Sequence, residues 1–326
     1  MKKHNKFFVC TCALFFLIFA GLTLSAILQA RQENLNFNLI DAIKKYDSHR
    51  VKKLLQQGAD PNTHDHREDS NIEIKDGLIS WFVYFYQNAA KQGNTDDYLK
   101  STALAISVEE IYSIEENTPG EPKHTERDLI GEALVLHGAN VQRNEIQGGE
   151  GILGAACRSR FPRTVEAMIL RGVDINRKDS NGNAPLVFAD DPEVVDIMLK
   201  HGADPNSRDR LGLPALSCHI DNIKVVRQLI KGGADVNLKR SDSYETPLTQ
   251  ANRTDVVQYL LENGSDIQAN AGAGFSVMDC VVDHMWDWSK KRFKGDGEHL
   301  VCLLYKHGGR LRHYAAYIKL DTEGFK

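Results

Sequence analysis

Apolar residues recur every three or four positions along much of the chain, which is the spacing of one buried face of an α-helix. Clear examples are residues 194–199, 225–230 and 256–261. Three residues after each run stands a glycine, a residue that adopts the left-handed conformation ending many helices at no steric cost. The pattern predicts a series of short amphipathic helices, each terminated by a glycine.

These glycines open a short motif, Gly-Ala-Asp-X-Asn or a variant of it, that recurs along the chain. The motif glycines are Gly58, Gly138, Gly172, Gly202, Gly233, Gly264 and Gly308. From Gly138 to Gly264 the intervals are 30 to 34 residues, a period typical of stacked-repeat proteins. A polar turn follows each motif, and then a second helix start, twice with a proline suited to a first helical turn, at Pro185 and Pro247.

With Thr-Pro-Leu at 246–248 and Gly-Ala-Asp-Val-Asn at 233–237, the chain resembles the ankyrin repeat family over about residues 38–311. The resemblance implies an all-α solenoid of stacked helix–turn–helix units with short β-turn or hairpin loops. We count about seven copies, of which 39–62 and 275–311 serve as end caps. No copy has the family's full Thr-Pro-Leu-His, so we expect a less rigid array.

Two insertions interrupt the period. The first, within 63–128, adds roughly 47 residues to one repeat interval, or alternatively contains a degenerate repeat at 77–99. Its apolar run, residues 81–86, is expected to be buried in the solenoid or to dock another protein. The second insertion, within 283–297, has tryptophans that are expected to seal the end of the core and lysines that are expected to be solvated. Alternatively, both contact a membrane surface or an acidic partner. Residues 312–326 form a tail.

The first 30 residues differ from the rest of the chain. Lys2, Lys3 and Lys6 precede an uncharged run of 22 residues, 7–28, which as a helix would be about 33 Å long. This pattern predicts an export signal or a retained membrane anchor, and small residues suited to cleavage are poorly placed. Because positive charge stays in the cytoplasm, we expect the remaining chain to lie in the periplasm, free or anchored to the inner membrane.

The composition argues against several function classes. The chain has 326 residues, a net charge of -4 and six cysteines, so it is neither a basic nucleic-acid binder nor a disulfide scaffold. His64, Asp65 and His66 lack a third ligand and are expected to form a polar turn. Phosphate-loop, dinucleotide, hydrolase and zinc-protease motifs are absent, so we expect no enzyme activity, cofactor or metal.

Four cysteines lie outside the leader. Cys157, Cys218 and Cys280 fall in predicted first helices and are expected to be buried thiols. A bridge between Cys280 and Cys302 is the alternative in an oxidising compartment.

The family resemblance implies that a partner protein contacts the turns after each motif and the exposed ends of the first helices. The residues at these positions are Lys178, Ser180, Asn181, Asp190, Arg208, Arg210, Leu211, His219, Asp221, Lys239, Asp242, Ser243 and Asn252. The turns are mostly basic within an acidic body, which favours a partner with an acidic surface.

We therefore predict a monomeric protein that binds a partner in order to shield, inhibit or localise it, such as a toxin or an envelope enzyme. The alternatives are a membrane-anchored scaffold that joins envelope components and, remotely, an enzyme with a site in the insertions.

Overall fold

The computed structural model describes residues 2–63, 103–109, 122–141, 151–272, 274–287 and 292–314. Helices dominate this part of the chain, and its strands are two short ones. The predicted all-α class is confirmed. The chain forms two compact units, Met1–Asn140 and Val141–Lys326.

The described part of the first unit contains four helices. They are α1 (Lys2–Lys44), α2 (Ser48–Gln56), α3 (Ala103–Glu109) and α4 (Pro122–Leu136). The end of α1 packs on α2, and α3 packs on α4, around a core that includes Leu39, Leu104 and Ile130. None of the helices in the described ranges combines the length and the hydropathy needed to cross a membrane.

The second unit has five helix pairs in its described residues. The first members are α5 (Ile152–Arg158), the 3-10 helix η1 (Pro185–Phe188), α8 (Ala215–Cys218), α10 (Pro247–Gln250) and α12 (Val277–Met285). The second members are α6 (Pro162–Leu170), α7 (Pro192–Lys200), α9 (Ile223–Lys231), α11 (Thr254–Glu262) and α13 (Gly297–Lys306). Between α12 and α13 lies an antiparallel hairpin of β1 (Trp286–Asp287) and β2 (Arg292–Phe293).

Capping side chains mark where these helices begin, and glycines mark where they end. Asp191 and Asn222 accept the first backbone N–H groups of α7 and α9, and thereby satisfy donors that a helix start leaves unpaired. All seven motif glycines have positive φ, between 83° and 100°, just past a helix end. The prediction that glycine terminates these helices is confirmed.

At three motifs of the described chain, the closing asparagine makes two hydrogen bonds to the next motif. Asn237 accepts the backbone N–H of Asp266 at 2.8 Å and donates to the carbonyl of Gly264 at 3.0 Å. Asn176 makes the same two bonds to Asp204 and Gly202. In the first unit, Asn62 does so with Asn140 and Gly138. We call this two-bond contact the asparagine clamp, and it fixes the stacking of successive repeats.

The core lies between the helix layers, where the apolar stripes predicted from the sequence are buried. In α9 these residues are Val225, Val226 and Leu229, and α11 repeats them as Val256, Val257 and Leu260, all fully buried. Each such side chain contributes about 1.5–3 kcal/mol to folding, so stacking of the pairs supplies the stability that a single pair lacks.

The carboxyl end of the second unit is closed by the segment after α13. Buried Asp279, near the start of α12, accepts backbone N–H groups from Arg312, His313 and Tyr314 at 3.0 to 3.2 Å. Ser276 also bonds to this carboxylate and, through Oγ, to the carbonyl of Arg310. The last helix pair is thus sealed by its own chain.

Some predictions fall outside the described residues. They concern the possible repeat at 77–99, the cluster 64–66, the apolar run 81–86 and residues 288–291 of the second insertion. Within that insertion, the Trp286 ring is half-buried and meets the Phe293 ring edge-on, with 4.7 Å between centroids. This contact supports the interpretation that Trp286 seals the end of the core.

The structure corrects part of what the sequence predicts about the burial and pairing of the cysteines. Cys157, Cys218, Cys280 and Cys302 form no disulfide, so the bridge considered between Cys280 and Cys302 is not formed. Cys157 is buried as expected, whereas Cys218 and Cys280 are only half-buried. Burial still raises the pKa of Cys218 to about 12 and that of Cys280 to about 11.

Candidate protein-binding face

Three polar turns of the second unit follow consecutive motifs and precede consecutive first helices. We call them turn A (177–183), turn B (208–213) and turn C (239–245). The asparagine clamps hold the motif before each turn at a fixed place relative to its neighbours. The turns therefore form one row along the edge of the unit.

Turn B is shaped by its own side chains. One Asp209 oxygen accepts the backbone N–H groups of both Leu211 and Leu213 at 2.8 Å. Gly212 has a φ of 74°, which a residue with a side chain adopts only with strain. Leu211 is consequently held at the apex of the turn, with its side chain 54% exposed.

Turns B and C are joined by an arginine. Arg208 Nη1 donates to the carbonyl of Gly212 at 2.6 Å and to the carbonyl of Lys239 at 2.7 Å. The backbone N–H of Ser241 donates to the same Gly212 carbonyl at 3.1 Å. A Cβ at Gly212 would lie 2.5 Å from Ser241, so the two turns approach as closely as glycine allows. Turns B and C thus form one rigid body.

Turns A and B are linked in a similar way. The side-chain oxygen of Asn183 accepts the backbone N–H of Arg210 at 2.9 Å. The backbone N–H of Ala184 donates to the carbonyl of Arg208 at 3.3 Å. Each turn is therefore held by the next one in the row.

Charge is distributed unequally in these turns. The carboxylates of Asp179 and Asp209 face inward and accept N–H groups of their own turns. Lys178, Arg210 and Lys239 are exposed, and within the described residues they form no ion pair. In turns A and B these acids therefore stabilise the turn while Lys178 and Arg210 face solvent, which gives that part of the row a positive edge. In turn C, Asp242 is exposed and pairs with Arg240, and the exposed Lys239 has no acidic partner among the described residues.

The structure places most of the predicted contact residues on the surface. Exposed ones are Lys178, Ser180, Asn181, Arg210, Leu211, Asp221, Lys239, Asp242 and Asn252. Half-buried ones are Asp190, Arg208 and Ser243. Of these three, Arg208 has its guanidinium turned to the two turn carbonyls.

The prediction for His219 is wrong: this residue is only 7% exposed. Its ring turns inward, and Nε2 lies 3.3 Å from the carbonyl of Leu186 in the preceding pair. Burial lowers the pKa of this imidazole below its ordinary value, so the ring is neutral near pH 7. His219 is a packing residue.

Asp190 also has a structural role. Its carboxylate bonds to Arg160 Nη2 at 2.7 Å, and to Asn222 Nδ2 at 3.0 Å. These partners belong to the preceding and following helix pairs, so Asp190 ties three pairs together on the side of the inter-helix loops. The side chain stays 43% exposed and is in reach of a partner.

Sequence reasoning missed Tyr244. Its side chain is 62% exposed in turn C, with the Lys239 ammonium 5.7 Å from the ring centroid. Its ring lies beside the next turn, since a Cβ at Gly272 would come within 3.7 Å of Tyr244 Cδ2. The available signal was a bulky aromatic residue within an otherwise polar turn.

A small cavity opens between turn A and α5. Its volume is about 200 Å³, and Ile152, Leu153, Val173, Lys178 and Phe188 are among its lining residues. Sites for whole small molecules are larger, about 300–1,000 Å³. The described residues bring no three His, Cys, Asp or Glu side chains together in a group suited to a metal ion.

Comparison with known proteins agrees with the geometry. Residues 189–271 match the sequence profile of the family described as ankyrin repeats (3 copies). This segment begins just after η1, includes turns B and C, and ends beyond α11. No curated protein matches the chain. The matched segment consists of ankyrin repeats, and the fold is the all-α ankyrin solenoid.

Proposed function

We propose that the chain is a non-catalytic binding module whose row of turns A, B and C recognises a partner protein with an acidic surface. Ankyrin repeats generally mediate protein–protein interaction, which supports a protein as the ligand. The observation that carries the acidic preference is the outward Lys178, Arg210 and Lys239 beside inward carboxylates.

Rigidity supports the same proposal. Ordering loops on association costs about 0.5–1.5 kcal/mol for each immobilised side chain. Turns B and C are already ordered by Arg208, Asp209 and Gly212, so a partner meets a preformed surface.

Charge reversal tests this proposal. The full chain, immobilised, captures a partner from an extract of its source cells, and the affinity of the purified pair is then measured at several salt concentrations. Arg210→Glu with Lys239→Glu should weaken binding at least tenfold and flatten the salt dependence. The matched control is Lys224→Glu with Lys231→Glu, on the exposed side of α9. Equal losses in both double variants would contradict the proposal.

We also propose that the body of the protein acts outside the cytoplasm and shields, inhibits or localises its partner there as a monomer. The cationic start and the uncharged run 7–28 support this location. Cell fractionation with amino-terminal sequencing tests it. Recovery in the cytoplasm with an intact leader would contradict it.

A further inference from the structure

Two large apolar side chains project from the most rigid part of the row. Leu211 at the apex of turn B is 54% exposed, and Tyr244 in turn C is 62% exposed. Both lie inside the segment that matches the ankyrin family. The neighbours of Tyr244 in turn C are polar or charged, and in turn B Leu211 follows Arg210, while the apolar Leu213 of that turn is half-buried.

The turns that carry both side chains are ordered by hydrogen bonds and close contacts. Asp209 accepts the backbone N–H of Leu211 at 2.8 Å, which holds this residue at the apex of turn B. The Lys239 ammonium lies 5.7 Å from the centroid of the Tyr244 ring, and a Cβ at Gly272 would lie 3.7 Å from Tyr244 Cδ2. The separation of the two turns is set by Arg208, which bonds to a carbonyl in each. Their relative position is therefore preset before any partner arrives.

We propose that Leu211 and Tyr244 are a pair of apolar anchors that enter a cleft of the partner protein, a cleft with an apolar floor and an acidic rim. This inference rests on the proposed function and names the chemistry of its partner. Projecting turns are convex, so they fit a concave partner surface better than a flat one.

The cations beside the two anchors indicate that the rim of the partner's cleft is acidic. Arg210 stands next to Leu211, and Lys239 lies over the Tyr244 ring. In turn C, Arg240 lies 2.8 Å from Asp242 and 3.7 Å from Glu245, so these acids are paired within the turn. Carboxylates at the edge of the cleft would meet Arg210 and Lys239 as each anchor is buried. Interface energy concentrates in buried anchors of this kind, ringed by polar contacts.

Site-specific photo-cross-linking is the direct test. Benzoylphenylalanine replaces Leu211 or Tyr244 in the full chain, and the control places it at Leu170, which is 69% exposed at the end of α6. Irradiation in the source cells should give an adduct with one and the same protein from positions 211 and 244, and none from 170. The cross-linked peptides of that protein should come from an apolar cleft bordered by Asp or Glu.

Binding measurements with serine variants form the second part of the test. Leu211→Ser and Tyr244→Ser should each weaken binding of the purified partner at least tenfold, while Leu170→Ser changes it less than twofold. Circular dichroism checks that each variant is folded. If the Ser variants bind normally while Arg210→Glu with Lys239→Glu does not, the anchor inference is overturned and the proposed function stands. If neither set weakens binding, both fail. Adducts between two copies of this chain would also overturn the inference.

Discussion

Asn237 Oδ1 accepts the backbone N–H of Asp266 from 2.8 Å across 29 residues of chain, and the amide nitrogen of the same side chain donates to Gly264. Each repeat thereby satisfies polar backbone groups of the next. These contacts hold the motifs that precede turns A, B and C.

Asn237→Ala should lower the free energy of unfolding by about 1–2 kcal/mol, because two backbone groups lose their partner. Asn237→Asp, which keeps the acceptor and loses the donor, should fall between wild type and Ala. Urea denaturation monitored by circular dichroism measures both. Asn252→Ala, an exposed asparagine, is the control and should change stability by less than about 0.5 kcal/mol.

Gly212→Ala should destabilise the chain more than Gly274→Ala. Both glycines have positive φ, 74° and 83°, so each substitution costs about 1–2 kcal/mol in backbone strain. At Gly212 the new Cβ would also lie 2.5 Å from Ser241, whereas nothing lies within 4 Å at Gly274. Thermal unfolding of the two variants compares them, and equal melting temperatures would contradict the close contact of turns B and C.

Asp279→Asn should cost about 2–3 kcal/mol, since a charged acceptor of several backbone N–H groups is removed. Asp283→Asn is the control and should cost less, because the amide oxygen still accepts the Tyr314 hydroxyl and only the charge is lost. The expected difference is read from urea midpoints at pH 7. Similar midpoints for both variants would show that the carboxyl-terminal segment is not held by Asp279.

The Asp279 carboxylate also predicts how the stability of the folded chain changes at acidic pH. Burial acts to raise the pKa of Asp279, but hydrogen bonds from Ser276, Tyr314 and His313 outweigh it and hold the pKa below the ordinary 3.8. As pH falls, the unfolded chain therefore takes up this proton before the folded chain does. The stabilisation by the Asp279 carboxylate is complete above pH 3.8 and is lost as pH falls through the pKa of the folded state. Unfolding measured between pH 5 and pH 2.5 should show a smaller acid loss in Asp279→Asn than in wild type.

Protonation of His219 should also lower stability as pH falls, but in a higher pH range than protonation of Asp279. Burial is the main reason that its pKa lies below 6.5, so the unfolded chain takes up this proton more readily than the folded chain. Stability should be full above about 6.5 and should decline as pH falls toward the folded value. NMR titration of the ring in the intact chain measures the pKa, and a value above 6.5 would contradict the buried, neutral imidazole.

Local patterns foretold the parts of the fold that depend on neighbouring residues. The glycine after each apolar stripe marks a helix end because only the backbone at that position matters. Asp191 and Asn222 cap helices that start beside them, which also depends only on neighbouring residues, although the sequence analysis did not single them out.

Contacts between repeats were less visible. The family resemblance implied that His219 lies at the exposed end of a first helix, but its ring packs inward toward the carbonyl of Leu186, 33 residues earlier. Arg208 looked like a surface cation, and its two carbonyl partners appear only when turns B and C are side by side. Tyr244 needed the same arrangement to be recognised as exposed and fixed.

Hydrogen exchange of the full chain, alone and with its captured partner, tests the central claim most directly. The account predicts that the partner slows exchange in turns B and C, residues 208–213 and 239–245, and leaves α9 and α11 unchanged. Protection confined to α9 and α11, with turns B and C unaffected, would contradict it.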